Sequence, residues 1–213
     1  MTANALTGII DYGVGNLRSV QSAVERVGGI PLITSDPAQL LDCPRLILPG
    51  VGAFGHGMAE LEARGLSAVV HQAVAAGTPL LGICLGMQML TTRSFEFGDT
   101  PGLGLTAGTV TRLERSDGGE RLRLPHVAWK PLRRVSGVLD WFFDGIGDDD
   151  RFYFIHSFAV QNAKVGVAAL ADHDGLAFAA VMTHGNVIGT QFHPEKSGPA
   201  GLKLLSNFVS KGR

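Results

Sequence analysis

Thr78-Pro-Leu-Leu-Gly-Ile-Cys84-Leu-Gly-Met-Gln-Met-Leu90 carries the most information of any stretch in this chain. Thr78 to Ile83 is a short apolar run opened by a proline, the texture of a strand buried on both faces. No linker follows, because Leu85, Met89 and Leu90 recur at helical spacing directly after it. Between strand and helix lies Gly82-Ile-Cys84-Leu-Gly86, a G-x-C-x-G turn with the logic of a nucleophile elbow. Small residues on either side let the backbone turn sharply and present the side chain between them. A thiol placed at a helix start meets unpaired N–H groups and a dipole that favour thiolate over thiol. Cys84 is therefore read as reactive. Free cysteine is otherwise a small core residue, and Cys43, in Leu41-Asp-Cys-Pro44, keeps that reading.

Upstream, short apolar runs alternate with helical periodicity, which is βαβ punctuation. Leu6 to Ile10 reads as a strand, and Leu17, Val20, Val24 and Val27 form a helix face behind Asn16 as N-cap. Pro31 to Ile33 is a second strand, Asp36-Pro37 opens a short helix, and Arg45 to Leu48 is a third strand running into Pro49-Gly50. Residues 66–76 form a helix. Downstream of about residue 105 the texture is β-rich: Thr109 to Leu113 and Arg121 to Leu124 flank Asp117-Gly118-Gly119 as a hairpin, and strands are expected at Arg151 to Phe158, Val165 to Leu170, Ala177 to Met182 and Val187 to Gln191. A closing helix, Gly201 to Val209, puts Leu202, Leu205, Phe208 and Val209 on one face. The expectation is one α/β domain over residues 1–213, a mostly parallel sheet flanked by helices with antiparallel strands added in the second half.

The composition agrees with a single core. Of 213 residues 45% are apolar and 17% charged, below the roughly 25% charge of average domains. The 29 glycines are about twice the usual share, and they follow no collagen-like period. Lys and Arg (18) nearly cancel Asp and Glu (19), so no broad positive field exists for nucleic acid or an anionic membrane. Two cysteines make neither a disulfide framework nor a thiolate pair for zinc. No apolar run is long enough to span a bilayer, and Met1 to Leu6 lacks the basic segment of a signal peptide, so the cytoplasm is the expected location. Asp148 to Asp150 reads as a solvated turn, and no metal or cofactor is expected.

A thiol nucleophile needs a base. Of the seven histidines, His193 stands in His193-Pro-Glu195 after an apolar strand, and in an extended chain His193 and Glu195 share a side. Glu195 would then orient the imidazole. His173, in Asp172-His-Asp-Gly175, reads instead as a solvated turn residue. The amide of Leu85, just after the nucleophile, is the natural first oxyanion donor, and Pro49-Gly-Val-Gly52 at the same sheet edge is the place for a second.

Asp11-Tyr-Gly-Val-Gly-Asn16-Leu-Arg-Ser19, Leu48-Pro-Gly-Val-Gly-Ala-Phe54, Gly82-Ile-Cys-Leu-Gly-Met-Gln88, Tyr153-Phe-Ile-His-Ser157 and Gln191-Phe-His-Pro-Glu-Lys-Ser197 together resemble the class I glutamine amidotransferases. Within them the opening motif is similar to that of the glutaminase subunits of imidazole glycerol phosphate synthase, over residues 7–209. The resemblance implies that Cys84 attacks the side-chain amide of glutamine, that His193 protonates the leaving ammonia and then activates water, and that Glu195 orients His193. It also implies an oxyanion hole from the amides of Val51 and Leu85, and glutamine held by Gly52, Gln88, Glu96 and the backbone of Ser157 and Phe158. The implied partner is a cyclase subunit of (β/α)8-barrel fold that receives the ammonia by an internal passage, with Asn16, Arg18, Trp129 and Lys196 at the interface. Imidazole glycerol phosphate and an aminoimidazole carboxamide ribotide would be the products. Sequestered transfer has a physical reason, since ammonia released to neutral water protonates and loses its nucleophilic lone pair.

The chain departs from the family at Pro125-His-Val-Ala128-Trp-Lys130, where Pro-His-x-Gly-Trp-Asn is usual, and at Phe158, where tyrosine is common. Other readings are the glutaminase of another synthase, such as pyridoxal phosphate synthase, distinguished by the subunit it binds; a thiol hydrolase or stress protein on the same elbow, taking its base from elsewhere; and a non-catalytic module, against which all three triad residue types stand.

Overall fold

The computed structural model describes residues 6–115, 122–161, 163 and 165–212. Strand β1 (Leu6–Ile10) leads into α1 (Leu17–Arg26), whose first turn is closed by Asn16 Oδ1 accepting from the Ser19 N–H at 3.4 Å. After β2 (Ile30–Thr34), α2 (Pro37–Leu41) starts at Asp36, whose Oδ1 accepts from the Ala38 N–H at 2.9 Å. Then come β3 (Leu46–Gly50), α3 (Phe54–Ala63), α4 (Leu66–Ala75), β4 (Leu80–Cys84) and α5 (Leu85–Met89). The sequence reading contains every one of these except α3. Gly55 and Gly57 lie inside that helix, and two glycines in ten residues suppress the propensity that would announce it.

The second half adds β5 (Arg93–Ser94), β6 (Thr100–Pro101), β7 (Thr109–Arg112), β8 (His126–Pro131), β9 (Arg133–Arg134), β10 (Arg151–His156), β11 (Phe158–Val160), β12 (Val167–His173), β13 (Leu176–His184) and β14 (Val187–Thr190), before the closing α6 (Gly198–Lys211). The main sheet runs β2-β1-β3-β4-β14-β13-β12-β9. It is parallel from β2 through β14 and antiparallel beyond. Two smaller sheets, β10-β8 and β11-β7-β5-β6, complete the molecule.

Three expectations need correction. The strand placed at Arg151 to Phe158 is two strands in different sheets, broken at Ser157. Residues 122–124, placed in a strand, precede β8, which begins at His126 and pairs with β10 while β7 pairs with β11 and β5, so the two do not form the expected hairpin; Arg121 and the tip 117–119 lie outside the described residues. His173 is no solvated turn residue: it ends β12, is buried, and its Nε2 lies 2.8 Å from the Arg123 carbonyl.

Because successive side chains of a strand face opposite ways, the main sheet has an apolar layer on each side. Ile9, Ile47, Leu81, Ile83 and Ile188 pack with Val20 and Val24 of α1 and with Leu204, Leu205 and Phe208 of α6. Ile10, Leu46, Leu48, Leu80 and Val187 pack with residues of the other helices, among them Leu40, Phe54, Leu66 and Met87. In register, Gly50 pairs with Cys84 and Thr190 with Ile83. The carboxyl ends of β3, β4 and β14 thus finish side by side, the edge at which open α/β sheets bind ligands.

Candidate active site

The turn at Cys84 is as sharp as its sequence demands. Cys84 has φ 54° and ψ −108°, a left-handed conformation that a side chain adopts at a cost of about 1–3 kcal/mol when the surroundings enforce it. A Cβ on Gly86 would lie 1.9 Å from the Leu48 carbonyl oxygen, and one on Gly82 would lie 2.8 Å from the Met87 nitrogen. Both flanking glycines are therefore required by contact. The neighbouring strand end is pinned as well, since the Tyr12 hydroxyl donates to the Pro49 carbonyl at 2.8 Å. Burial, then the nearby Cys84, push the Tyr12 phenol well above its usual range. Helix α5 spans only five residues, so the partner that sets the charge at the sulfur comes from elsewhere in the chain.

That partner is His193. It follows β14, the neighbour of β4, and sits on a fixed backbone: its N–H donates to the Tyr153 carbonyl at 3.0 Å and its carbonyl accepts from Ser197 Oγ at 2.6 Å. His193 Nδ1 meets Glu195 Oε1 at 2.7 Å, with side chains 3% and 1% exposed. The two do not meet through an extended strand, because Pro194–Lys196 is a 3-10 turn that brings Glu195 back onto the ring. Burial alone would lower the His193 pKa; hydrogen bonds to Cys84 and Glu195, with their negative charge, outweigh it and hold the imidazole at about 10. The raised pKa favours the protonated ring, placed between a sulfur and a carboxylate, and an imidazolium beside a cysteine stabilises the thiolate.

A second line of polar groups also reaches the sulfur. His156 Nδ1 lies 3.0 Å from the Phe158 carbonyl, which also accepts from Gln88 Nε2 at 2.9 Å. Gln88 Nε2 donates further to Gln191 Oε1 at 3.0 Å, and Gln191 Nε2 donates to Cys84 Sγ at 3.8 Å. Gln191 escaped the sequence reading, although it stands two residues before His193 just as Glu195 stands two after.

A cavity of about 430 Å³ opens over Cys84, lined also by Val51, Gly52, Leu85, Gln88, Glu96, Ser157, Phe158, His193 and Lys196. Every residue chosen for oxyanion or glutamine contact borders it. Glu195 lies behind His193, in a crevice with Asn16. Arg18 lines a neighbouring crevice with Glu195 and Arg26. Glu96 Oε2 accepts from the Phe54 N–H at 2.7 Å and so caps α3, whose own N-cap, Ala53, has no side chain to do it. Phe97, 90% exposed and edge-on to Phe158 at 6.2 Å, stands at the mouth; an exposed phenylalanine in a charged stretch gave no signal beforehand. Trp129 is outside the cavity, its ring 5.7 Å from Tyr153, which is itself 6.5 Å from the His193 ring. Lys130 faces away from Trp129 by strand alternation and pairs with Asp172 at 3.5 Å. A larger cavity of about 790 Å³, beside β9, contains none of the residues read from the sequence as catalytic, oxyanion, substrate or partner contacts.

Comparison with known proteins agrees with this arrangement. The family model described as glutamine amidotransferase class-I matches residues 9–211. The chain is 44% identical over 208 residues to imidazole glycerol phosphate synthase subunit HisH of Aromatoleum aromaticum, covering 95% of this chain and 96% of that one. It is 45% identical over 203 residues to the protein of the same name from Methanosarcina barkeri, covering 94% and 96%. Among solved structures, one of PurLQS from Thermotoga maritima superposes with a TM-score of 0.69 at 23% identity, covering 96% of this chain and 97% of that one, a likeness of fold. With an elbow cysteine, a buried His–Glu pair and relatives matched over nearly their whole length, the chain belongs to the class I glutamine amidotransferase family.

Proposed function

We propose that this chain is the glutaminase subunit of an imidazole glycerol phosphate synthase, hydrolysing glutamine and passing the ammonia to a cyclase subunit. The observation that carries the chemistry is the His193 ring set between Cys84 and Glu195 beside a 430 Å³ cavity. Cys84 Sγ attacks the side-chain amide carbon, and the Leu85 and Val51 amides stabilise the oxyanion that develops. His193 gives its proton to the departing nitrogen, the C–N bond breaks, and a thioester on Cys84 remains. Water then attacks that thioester with His193 as base, glutamate leaves, and the sulfur is restored. Glu195 holds the ring throughout and stabilises its charge whenever it is protonated. Glu96 takes the substrate ammonium, and Gln88 with the Ser157–Phe158 backbone holds the rest of the glutamine. Both N–H groups of Gln88 are spent inside the protein, so its carbonyl oxygen is the atom left for substrate.

The partner reading is supported by the names of the HisH relatives and by an apolar face next to the cavity. Val127, Trp129 and Ile155 are exposed on paired strands β8 and β10, Lys196 borders the cavity, and Asn16 and Arg18 line the crevices beside Glu195. Such a subunit works in the cytoplasm; no helix among the described residues is long and apolar enough to cross a membrane. Co-purification with candidate synthase subunits, followed by a glutamate-release assay, tests the assignment. Binding to a cyclase barrel with a rise in glutamate release is expected, and binding instead to a pyridoxal phosphate synthase barrel would overturn it. A glutamine-analogue electrophile should label Cys84 and spare Cys43, which is buried and whose thiol is pushed up by burial and then by Asp42. Peptide mapping that found the reverse would remove Cys84 from the mechanism.

A further inference from the structure

We propose that Gln191 is a catalytic residue whose side-chain N–H donates to the sulfur of Cys84 and stabilises its negative charge through glutamine hydrolysis. The inference rests on Cys84 being the glutaminase nucleophile, and it assigns the sulfur a donor other than His193.

The direction of this hydrogen bond is fixed by one atom that carries no hydrogen. The Phe158 carbonyl oxygen can only accept, so the Gln88 atom 2.9 Å from it is the amide nitrogen. That same nitrogen faces Gln191 at 3.0 Å, which must present its oxygen there. The Gln191 nitrogen is thereby turned onto Cys84 Sγ at 3.8 Å. On the far side the same carbonyl obliges His156 to carry its proton on Nδ1. His156 Nε2 is then an acceptor, filled by His126 Nδ1 at 3.3 Å. Every hydrogen bond in the buried line from His126 to the sulfur therefore has a fixed direction, with His156 and Gln88 both donating to the Phe158 carbonyl, and no hydroxyl in it could rotate and reverse one.

Gln191 is built to hold still. It is fully buried, and its backbone N–H donates to the Ala180 carbonyl at 2.9 Å. The next residue, Phe192, is wedged against Phe152 with ring centroids 4.5 Å apart. A donor fixed before the reaction begins needs no reorganisation as charge appears on its acceptor. It also differs from His193 in kind. His193 surrenders its proton to ammonia and recovers one from water, whereas an amide neither gains nor loses a proton. The sulfur thus keeps one constant donor while the other cycles.

The test is alkylation of Cys84 by iodoacetamide, followed by peptide mapping, in the wild-type protein and in Gln191→Met, which keeps the length of the side chain and removes the N–H. Near neutral pH the Cys84 rate should fall about tenfold, the size expected of one lost hydrogen bond to a charged group. In strong alkali, where any thiol is ionised, the two rates should converge. With the cyclase partner present, kcat for glutamate release should fall and KM hold, because Gln191 touches the sulfur and not the glutamine. An unchanged ratio of neutral to alkaline rates, or a rise in KM with kcat held, would overturn the proposal. Cys43 serves as the internal reporter of opening. Should Gln191→Met expose it, the isosteric Gln191→Glu replaces that variant: a carboxylate oxygen then faces the sulfur, the neutral rate should fall further, and an unaltered rate would overturn the proposal equally. Alkylation requires no glutamine, so a chain that failed as a glutaminase would still give its own answer here.

Discussion

Gly86 shows how far one position can govern the site. Its Cα lies so close to β3 that a methyl group would stand 1.9 Å from a backbone oxygen, a clash no side-chain rotation relieves. Gly86→Ala is expected to abolish glutamate release and to lower stability by at least the roughly 1–3 kcal/mol typical of overpacking, read as a fall in thermal midpoint. By contrast Gly28→Ala, at a left-handed turn with nothing within 4 Å of its Cβ, should lose only about 1 kcal/mol of stability and keep its activity. At this level the sequence was most legible where chemistry demands a residue type in a spacing. Cys84 between two glycines, and His193 two before Glu195, were readable because few other purposes produce those patterns. Gln191 was hidden because a polar residue at a strand end is ordinary, and its partners Gln88 and Cys84 lie 103 and 107 residues away. His173 was misread because Asp172-His-Asp-Gly175 does make a turn, with the histidine on the strand just before it, buried and stacked on His126.

Helix α3 lacks a capping side chain of its own and borrows one from a distant loop. The Glu96 carboxylate on the Phe54 N–H joins the helix that follows Val51 and Gly52 to the residue read as the ammonium site. Glu96→Gln keeps an acceptor for Phe54 but removes the charge. KM for glutamine should rise about tenfold or more, matching the loss of a charged hydrogen bond, with the thermal midpoint little changed; steady-state kinetics and a melting curve together check this. An equal loss of midpoint and affinity would mean that Glu96 serves only the helix. Elements with strong periodicity or caps were readable, as Asn16 and Asp36 illustrate. The break at Ser157 was not, because Arg151 to Phe158 is uniformly strand-like and only the competition of two sheets for its ends divides it. That break is what turns the Ser157–Phe158 backbone toward the cavity.

Across the molecule, buried histidines set how stability responds to acid. Burial, then His173 and Lys130, lower His126 to about 4, and burial, then His126, lowers His156 to about 3. In the unfolded chain each would titrate near 6.5. The unfolded state therefore binds more protons as pH falls from about 6.5 toward 4, and stability drops over that window by up to about 1.4 kcal/mol per pH unit for each excluded proton. His193 has the opposite sign. Its folded pKa of about 10 adds stability that is full below about 6.5 and is lost as pH rises through about 10. Urea midpoints measured across pH should thus fall on both flanks, and His126→Phe should flatten the acid flank while leaving the alkaline one in place. The general α/β plan was readable from punctuation, whereas the order of strands was not, since β14 joins β4 only through pairing across about a hundred residues of chain. This adjacency has a consequence during synthesis. The cysteine emerges from the ribosome long before the histidine that activates it, so a nascent or truncated chain is an inert thiol, and glutamine is spared until the last parallel strand has slotted beside its neighbour.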